Sequence, residues 1–274
     1  MMEVDQLMGS PRSVQIAEVH KENDTTTILE FDLSHLDCDI RAGEFLMIWV
    51  PGIDEIPMSV SSWKPPIGEI TVKSIGEATR RLAGLSRRDW IGIRGPFGNH
   101  FDINAEHPLL VGGGIGIAPL RFLVQEFLKM KKEVYLIEGA KTRTELILYD
   151  FDNIDENHLH LVITTDDGSV GRTGYATDIA QELLEEYTFD RIYTCGPEIM
   201  MSKLHHLAKR HKIGIEASLE RYMKCGCGIC GTCGIDPCGE LVCIDGPIFS
   251  GEHLDKMNDF GRSYRDSTGQ KKEF

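Results

Sequence analysis

From Ser13 to Gly98, apolar and polar positions alternate in short runs broken by Gly and Pro: SVQIAEVHKE, TTTILEFDL, GEFLMIWVPG, MSVSSWKPP, GEITVKSIG and DWIGIRGPFG. Such runs favour β-branched and aromatic residues, which suit a pleated, half-buried surface. Several at this spacing predict a small antiparallel barrel. RAGE and RGPFGN read as turns, and EATRRLAGL as one helix within the barrel, with Thr79 as its N-cap.

From Pro108 the period changes. PLLVGGG, EVYLIEGAK, HLHLVITTDDG and DRIYTCGP read as buried strands. Between and after them, APLRFLVQEFLKMK, GYATDIAQELLEEY and EIMMSKLHHLAKRH carry apolar residues at helical spacing, and a short helix is expected from Glu145 to Asp150. Phe122, Phe127 and Met130 are expected in the core; His205, His206 and His211, among Lys203, Lys209 and Arg210, on a solvated face. Strands alternating with helices imply a parallel sheet wrapped by helices, with ligands outside the carboxyl ends of the strands. Those ends carry GGGIG, EGAK, TTDDG and CGP. After GIEASLE come a cysteine-rich stretch and a polar tail.

Composition narrows the partners. Apolar and aromatic residues with Cys make up 41% of the 274 residues, enough for ordinary cores in two or three units. A formal net charge of −14 argues against nucleic acid, which needs a basic stripe. No run approaches the roughly 18 apolar residues of a membrane span. MMEVDQLMGSPRSVQ lacks the flank and apolar segment of a secretory signal, so a cytoplasmic location is expected.

Six of the eight cysteines lie between Arg221 and Gly246, in RYMKCGCGICGTCGIDPCGELVCIDG. In a reducing compartment, clustered cysteines hold metal or do redox chemistry more often than they form disulfides. Four residues separate Cys225 from Cys230, two separate Cys230 from Cys233, and nine separate Cys233 from Cys243. That is the spacing of plant-type [2Fe–2S] proteins, whose four thiolates converge on bridged irons. Gly226, Gly228, Gly231 and Gly234 would let the backbone curl round such a cluster, since glycine takes positive φ without steric cost. Two rivals stay open. Cys227, Cys230, Cys233 and Cys238 approach a [4Fe–4S] run, although its last gap holds four residues where that run wants three, and Gly239 replaces the following Pro. A structural zinc site is the other, although only one compact C-x2-C set is present. Cys227 and Cys238 read as non-ligands.

Three turns carry nucleotide signals. In LLVGGGIGIAPL, Gly113, Gly114 and Gly116 could bring amides to a pyrophosphate, although the fingerprint counted from Gly112 ends on Ile117 instead of Gly. Close helix–sheet packing explains the same glycines. In YTCGPEIMM, Cys195, Gly196 and Pro197 form either a corner open to a flat ring or a plain strand-to-helix corner. In TVKSIGEATRRL, the residues from Gly76 to Thr79 could meet a phosphate whose charge Arg80 and Arg81 offset. Glu138, ending the second α/β strand, favours NAD through a ribose hydroxyl.

The order of these parts, from a barrel through GGGIGIAPL and CGP to C-x4-C-x2-C and CIDGPIF, closely resembles the electron-transfer subunits of NAD-dependent (type B) dihydroorotate dehydrogenase, within the ferredoxin-reductase-like flavoprotein superfamily. The resemblance runs from PRSVQIAEV to DFGRSYRDSTG, and SLERYMKCGCGICGTC and VCIDGPIF are its most specific pieces. It implies a multi-domain chain: an FAD-binding antiparallel β-barrel (1–105), an α/β parallel-sheet NAD-binding domain (106–213), a small C-terminal iron–sulfur domain (214–250) and a tail (251–274).

The resemblance also implies roles. FAD would be held by Ile56, Pro57, Met58 and Ser59 and by Lys73, Ser74, Gly76 and Thr79. NAD would dock through Gly113, Gly114, Gly116, Cys195, Gly196 and Pro197, and Cys225, Cys230, Cys233 and Cys243 would hold the [2Fe–2S] cluster. The partner would be an FMN-containing catalytic subunit that oxidises dihydroorotate for pyrimidine biosynthesis, in a heterotetramer of two plus two. No side chain is required as an acid–base catalyst. One departure stands out: many relatives open the flavin motif with Arg, and this chain has Ile56 beside Glu55. That removes a charge-assisted contact worth about 1.5–3 kcal/mol. Two other readings compete: the flavin subunit of a related NAD(P)H–ferredoxin or sulfide-linked oxidoreductase, and a zinc-bound, non-catalytic interaction module.

Overall fold

A computed structural model describes residues 9–34, 39–147 and 158–274. Strands β1 (Arg12–Lys21), β2 (Thr26–Asp32), β3 (Phe45–Val50), β4 (Asp54–Lys64), β5 (Ile67–Lys73) and β6 (Trp90–Phe97) close into an antiparallel barrel in the order β1-β2-β5-β4-β3-β6. Alternate residues such as Val14, Ile16, Leu29, Phe31, Ile70 and Val72 fill its interior, as a period of two requires. Helix α1 (Glu77–Ala83) follows β5, with Gly76 as its N-cap and Thr79 at the third helical position, not at the cap. The fourth strand begins at Asp54, ahead of the Met58 start that the alternation suggests, because Asp54, Glu55 and Pro57 mask the pattern.

The second layer is a sheet of β7 (Pro108–Gly113), β8 (Val134–Ala140), β9 (Leu159–Thr165), β10 (Arg172–Thr173), β11 (Arg191–Cys195), β12 (Gly214–Ser218) and β13 (Ile248–Ser250). Their order is β10-β9-β8-β7-β11-β12-β13, and every pairing is parallel except β12 with β13. Helices α2 (Ile117–Lys129), α3 (Ala176–Glu186) and α4 (Glu198–His211) cover it. Strand order reverses between β7 and β11, the crevice where such sheets take ligands. β12 escapes the hydrophobic pattern because Glu216 sits mid-strand, where Arg191 Nη1 reaches it at 3.1 Å and Asp102 N–H donates to it at 3.0 Å.

The layers are locked together. Arg121 of α2 enters the barrel to pair with Glu69, Ser62 Oγ donates to Gln125 at 3.0 Å, and Lys73 at the end of β5 bridges to Glu145 at 2.9 Å. Residues 219–247 form a cysteine-bearing excursion between β12 and β13, and Met223, Cys233 and Cys243 pack with Phe45, Met47 and Phe97 of the barrel. Asn99, just after β6, fastens its exit: the side-chain amide donates to Asp245 O and Ile248 O at 2.8 Å and accepts from Ile248 N–H at 2.9 Å.

Four expectations change. The tail is no loose polar end: α5 (Gly251–Leu254) and the hairpin of β14 (Ser263–Arg265) and β15 (Lys271–Glu273) are joined by a segment whose Met257 and Phe260 are buried. His205 is buried rather than solvated, with Phe260 at its edge and Asp255 at 3.3 Å. Met130 lies at the open end of α2 and is 40% exposed. Of the expected helix from Glu145 to Asp150, positions 148–150 lie outside the described residues; Arg143–Glu145 form a 3₁₀ turn and Leu146 is extended. No helix among the described residues is long and apolar enough to cross a membrane.

Candidate dinucleotide cleft and cysteine centre

A cleft of about 1070 Å³ opens at the carboxyl ends of β7, β8 and β11. Gly113, Gly114, Gly196 and Pro197 line it, with Lys73 and Ile75 on the barrel side. Its glycines do two different jobs. A Cβ at Gly116 would lie 2.3 Å from the backbone oxygen of Cys195, and one at Gly113 would meet the Pro197 ring at 2.7 Å, so both serve close packing. Gly114 has φ +54° and nothing within 4 Å of its Cβ position. It is the residue of this turn that leaves room for a ligand at the backbone. Cys195, 2% exposed, and the buried Gly116 lie beneath the cleft instead of on its wall. Burial, with help from the Glu220 carboxylate, raises the Cys195 pKa and keeps the thiol neutral. Tyr175, Tyr264 and Phe274 also line the cleft. Sequence reasoning did not place them there: no local pattern says that the tail folds back over the sheet.

The expected flavin segments lie on the barrel. Ile56, Pro57, Met58 and Ser59 are half-buried on β4, and Ile56 and Met58 pack against the barrel core. Ser74 N–H donates to Thr25 O at 2.8 Å. The Thr79 hydroxyl accepts from Ile75 N–H at 3.0 Å and Gly76 N–H at 2.9 Å, so two amides at this turn are already held locally. Arg80 donates to Ile75 O at 3.2 Å, and Arg81 is exposed on the same helix. No basic side chain takes the place of Ile56 from within its own strand; Glu55 beside it is engaged by Arg94, both nitrogens at 2.7 Å.

The cysteines fall into pairs. Cys230 N–H donates to Cys225 Sγ at 3.4 Å, and Thr232 Oγ1 to Cys230 Sγ at 2.9 Å. Partial burial opposes ionisation of Cys225, but the amides of Cys230 and Cys227 outweigh it and bring the thiol down to about 6. The Cys243 thiol donates to Cys233, which falls to about 6 while Cys243 rises. Cys233 and Cys243 are buried, whereas Cys230 is exposed at the loop surface. Among the described residues, no three His, Cys, Asp or Glu side chains converge as they would on a single metal ion. Two thiol pairs in one loop suit a two-iron centre, which takes two thiolates on each iron. Gly226, Gly228 and Gly231 have positive φ, as expected; Gly234 does not. Cys227 lies next to Cys225, whose charge adds to burial in raising its pKa, and Cys238 is exposed beside Glu240.

Glu138 does not reach the cleft. It is 4% exposed and accepts Ile147 N–H at 2.7 Å. Burial pushes its pKa up from 4.5 to about 7. The folded chain therefore keeps a proton that the unfolded chain releases between these values. Stability from this group is full below pH 4.5 and is lost as pH rises through about 7, a difference of about 3 kcal/mol. Glu138→Gln keeps the acceptor and cannot ionise. Thermal unfolding from pH 5 to 8 is expected to show the parent losing stability against the variant as pH rises.

Residues 110–206 match the family model of the oxidoreductase NAD-binding domain, and residues 220–255 that of the iron–sulfur cluster binding domain of dihydroorotate dehydrogenase B. A Methanocaldococcus jannaschii protein named a probable dihydroorotate dehydrogenase B (NAD(+)) electron transfer subunit is 42% identical over 96% of this chain and 99% of its own. A Pyrococcus horikoshii protein of the same name is 43% identical over 83% of this chain and 85% of its own. Among solved structures, the NADH-dependent reduced ferredoxin-NADP oxidoreductase of flavin-based electron bifurcation superposes with a TM-score of 0.79 at 30% identity, covering 92% of this chain and 95% of its own.

Proposed function

The chain belongs to the family of dihydroorotate dehydrogenase B electron-transfer subunits, and from that premise we propose that it carries electrons from a dihydroorotate-oxidising, FMN-containing partner to NAD⁺ in the cytoplasm, in an assembly of two plus two. The proposed division is residues 1–105 for FAD, 106–213 for NAD, 214–250 for the cluster and 251–274 as tail, with β12 and β13 tying the cluster segment to the sheet. When bound, the [2Fe–2S] cluster passes single electrons and FAD converts between these and the hydride that NAD⁺ accepts.

The chain's own residues position and insulate. Cys225 with Cys230, and Cys233 with Cys243, would hold the two irons. Pro57, Met58 and Ser59 on β4, with Lys73, Ser74, Gly76 and Thr79, would line the flavin site, Ile56 contributing packing and no charge. Gly114 admits the dinucleotide backbone, Gly113, Gly196 and Pro197 shape the wall, and Cys195 and Gly116 support it from beneath.

The observation that carries this reading is the wedging of a two-pair cysteine loop against the barrel strands beside the expected flavin motif. Purified with its partner, the chain is expected to make NAD⁺ reduction depend on dihydroorotate, and the partner alone is expected to lack that activity. Co-purification with a glutamate-synthase-like protein and activity with NADPH would favour the related oxidoreductase instead.

A further inference from the structure

Arg94 and Glu55 form an ion pair that the proposed reaction does not yet use. They come from β6 and β4, the two strands that flank β3, and meet across it with Nε and Nη2 each 2.7 Å from a carboxylate oxygen. The two side chains are 10% and 20% exposed. Arg94 Nη2 also donates to Cys225 O at 3.1 Å, the guanidinium lies 5.5 Å from the Phe97 ring centre, and it faces the Cys227 thiol. On the other side of the joint, Glu55 directly precedes the expected flavin motif at Ile56. The loop packs closely on the strand between them: a Cβ at Gly226 would lie 2.8 Å from Met47 Cγ of β3.

We propose that the Glu55–Arg94 pair is a positioning and tuning element for the cysteine centre, fixing the loop that carries Cys225 against the flavin-motif strand and setting how readily the centre accepts an electron. This rests on the reading of Cys225, Cys230, Cys233 and Cys243 as cluster ligands. Reduction adds one electron and one negative charge to such a centre, and the Arg94 charge is fixed because arginine stays protonated. A fixed positive charge in a poorly hydrated joint favours the reduced state, and the carboxylate opposes it. Removing either member alone therefore has an effect of predictable sign.

The test is an electron paramagnetic resonance redox titration of the anaerobically purified chain, with dithionite as reductant. Arg94→Gln leaves Glu55 unopposed and is expected to move the midpoint potential down. Glu55→Gln leaves the guanidinium unopposed and is expected to move it up. Arg94→Lys keeps the charge and is expected to restore a potential close to that of the parent. Shifts of the same sign in Arg94→Gln and Glu55→Gln, or none with the cluster signal intact, would show a mere strut and overturn the proposal. If Arg94→Gln fails to fold, Glu55→Gln and Arg94→Lys decide: an upward shift in the first and little in the second support the proposal, and any other pattern overturns it. A parent chain with no iron–sulfur signal sinks the ligand assignment itself, which separates that failure from the failure of the tuning claim.

Discussion

Gly116→Val is expected to dismantle the dinucleotide domain, whereas Gly114→Leu is expected to leave it folded and unable to bind NADH well. The two positions stand two residues apart in one turn and differ in what surrounds them. At Gly116 even the first side-chain carbon would sit 2.3 Å from Cys195 O and 2.5 Å from Gly196 N, both rigid backbone atoms. Relieving that overlap means parting α2 from β11, at a cost of about 3 kcal/mol or more. At Gly114 the added atoms meet open space, and the penalty is the left-handed backbone at φ +54°, about 1–2 kcal/mol. The leucine side chain then fills the volume through which a dinucleotide would approach. Thermal unfolding should show a large fall for Gly116→Val and a small one for Gly114→Leu. Steady-state reduction of an artificial acceptor by NADH should show the KM of Gly114→Leu raised about tenfold or more, equivalent to about 1.4 kcal/mol of lost binding. An unchanged KM would remove Gly114 from the site.

The second large effect concerns the thiols. Cys230→Ala is expected to abolish the iron centre while flavin stays bound, because Cys230 is exposed and its side chain gives up only contacts with Thr232 and the Cys225 thiol. Cys227→Ala is expected to keep both. Iron and sulfide analysis beside the flavin absorbance checks the pair. Iron lost from the Cys227 variant and retained in the Cys230 variant would mean that a different quartet holds the metal.

Much of this architecture is legible without coordinates because its signals are local. The period-two runs of β1, β2 and β5 and the helical spacing of α2 to α4 depend only on which face each residue turns to the core. The cysteine gaps are local too, and the pairing of Cys225 with Cys230 follows directly from one short loop. What stays hidden depends on distant partners. β12 hides because its central Glu216 is polar, and distant partners, Arg191 on the neighbouring strand and the Asp102 N–H, make that residue acceptable there. His205 reads as solvated among cationic neighbours, yet the tail's Phe260 and α5 cover it. Glu138 looks like a ribose ligand at the end of a strand until its hydrogen bond with Ile147 shows it turned inward. The aromatic wall of Tyr264 and Phe274 over the cleft depends on a tail folding back against the sheet, for which the chain offers no short-range sign.

The inorganic content of the chain decides whether it can relay electrons. Metal, sulfide and flavin analysis of anaerobically purified protein, followed by electron paramagnetic resonance after dithionite, measures it directly. The expected result is iron and acid-labile sulfide in equal amounts, bound FAD, no zinc, and the signal of a reduced two-iron cluster. A colourless chain containing zinc, or a signal belonging to a four-iron cluster, would contradict it.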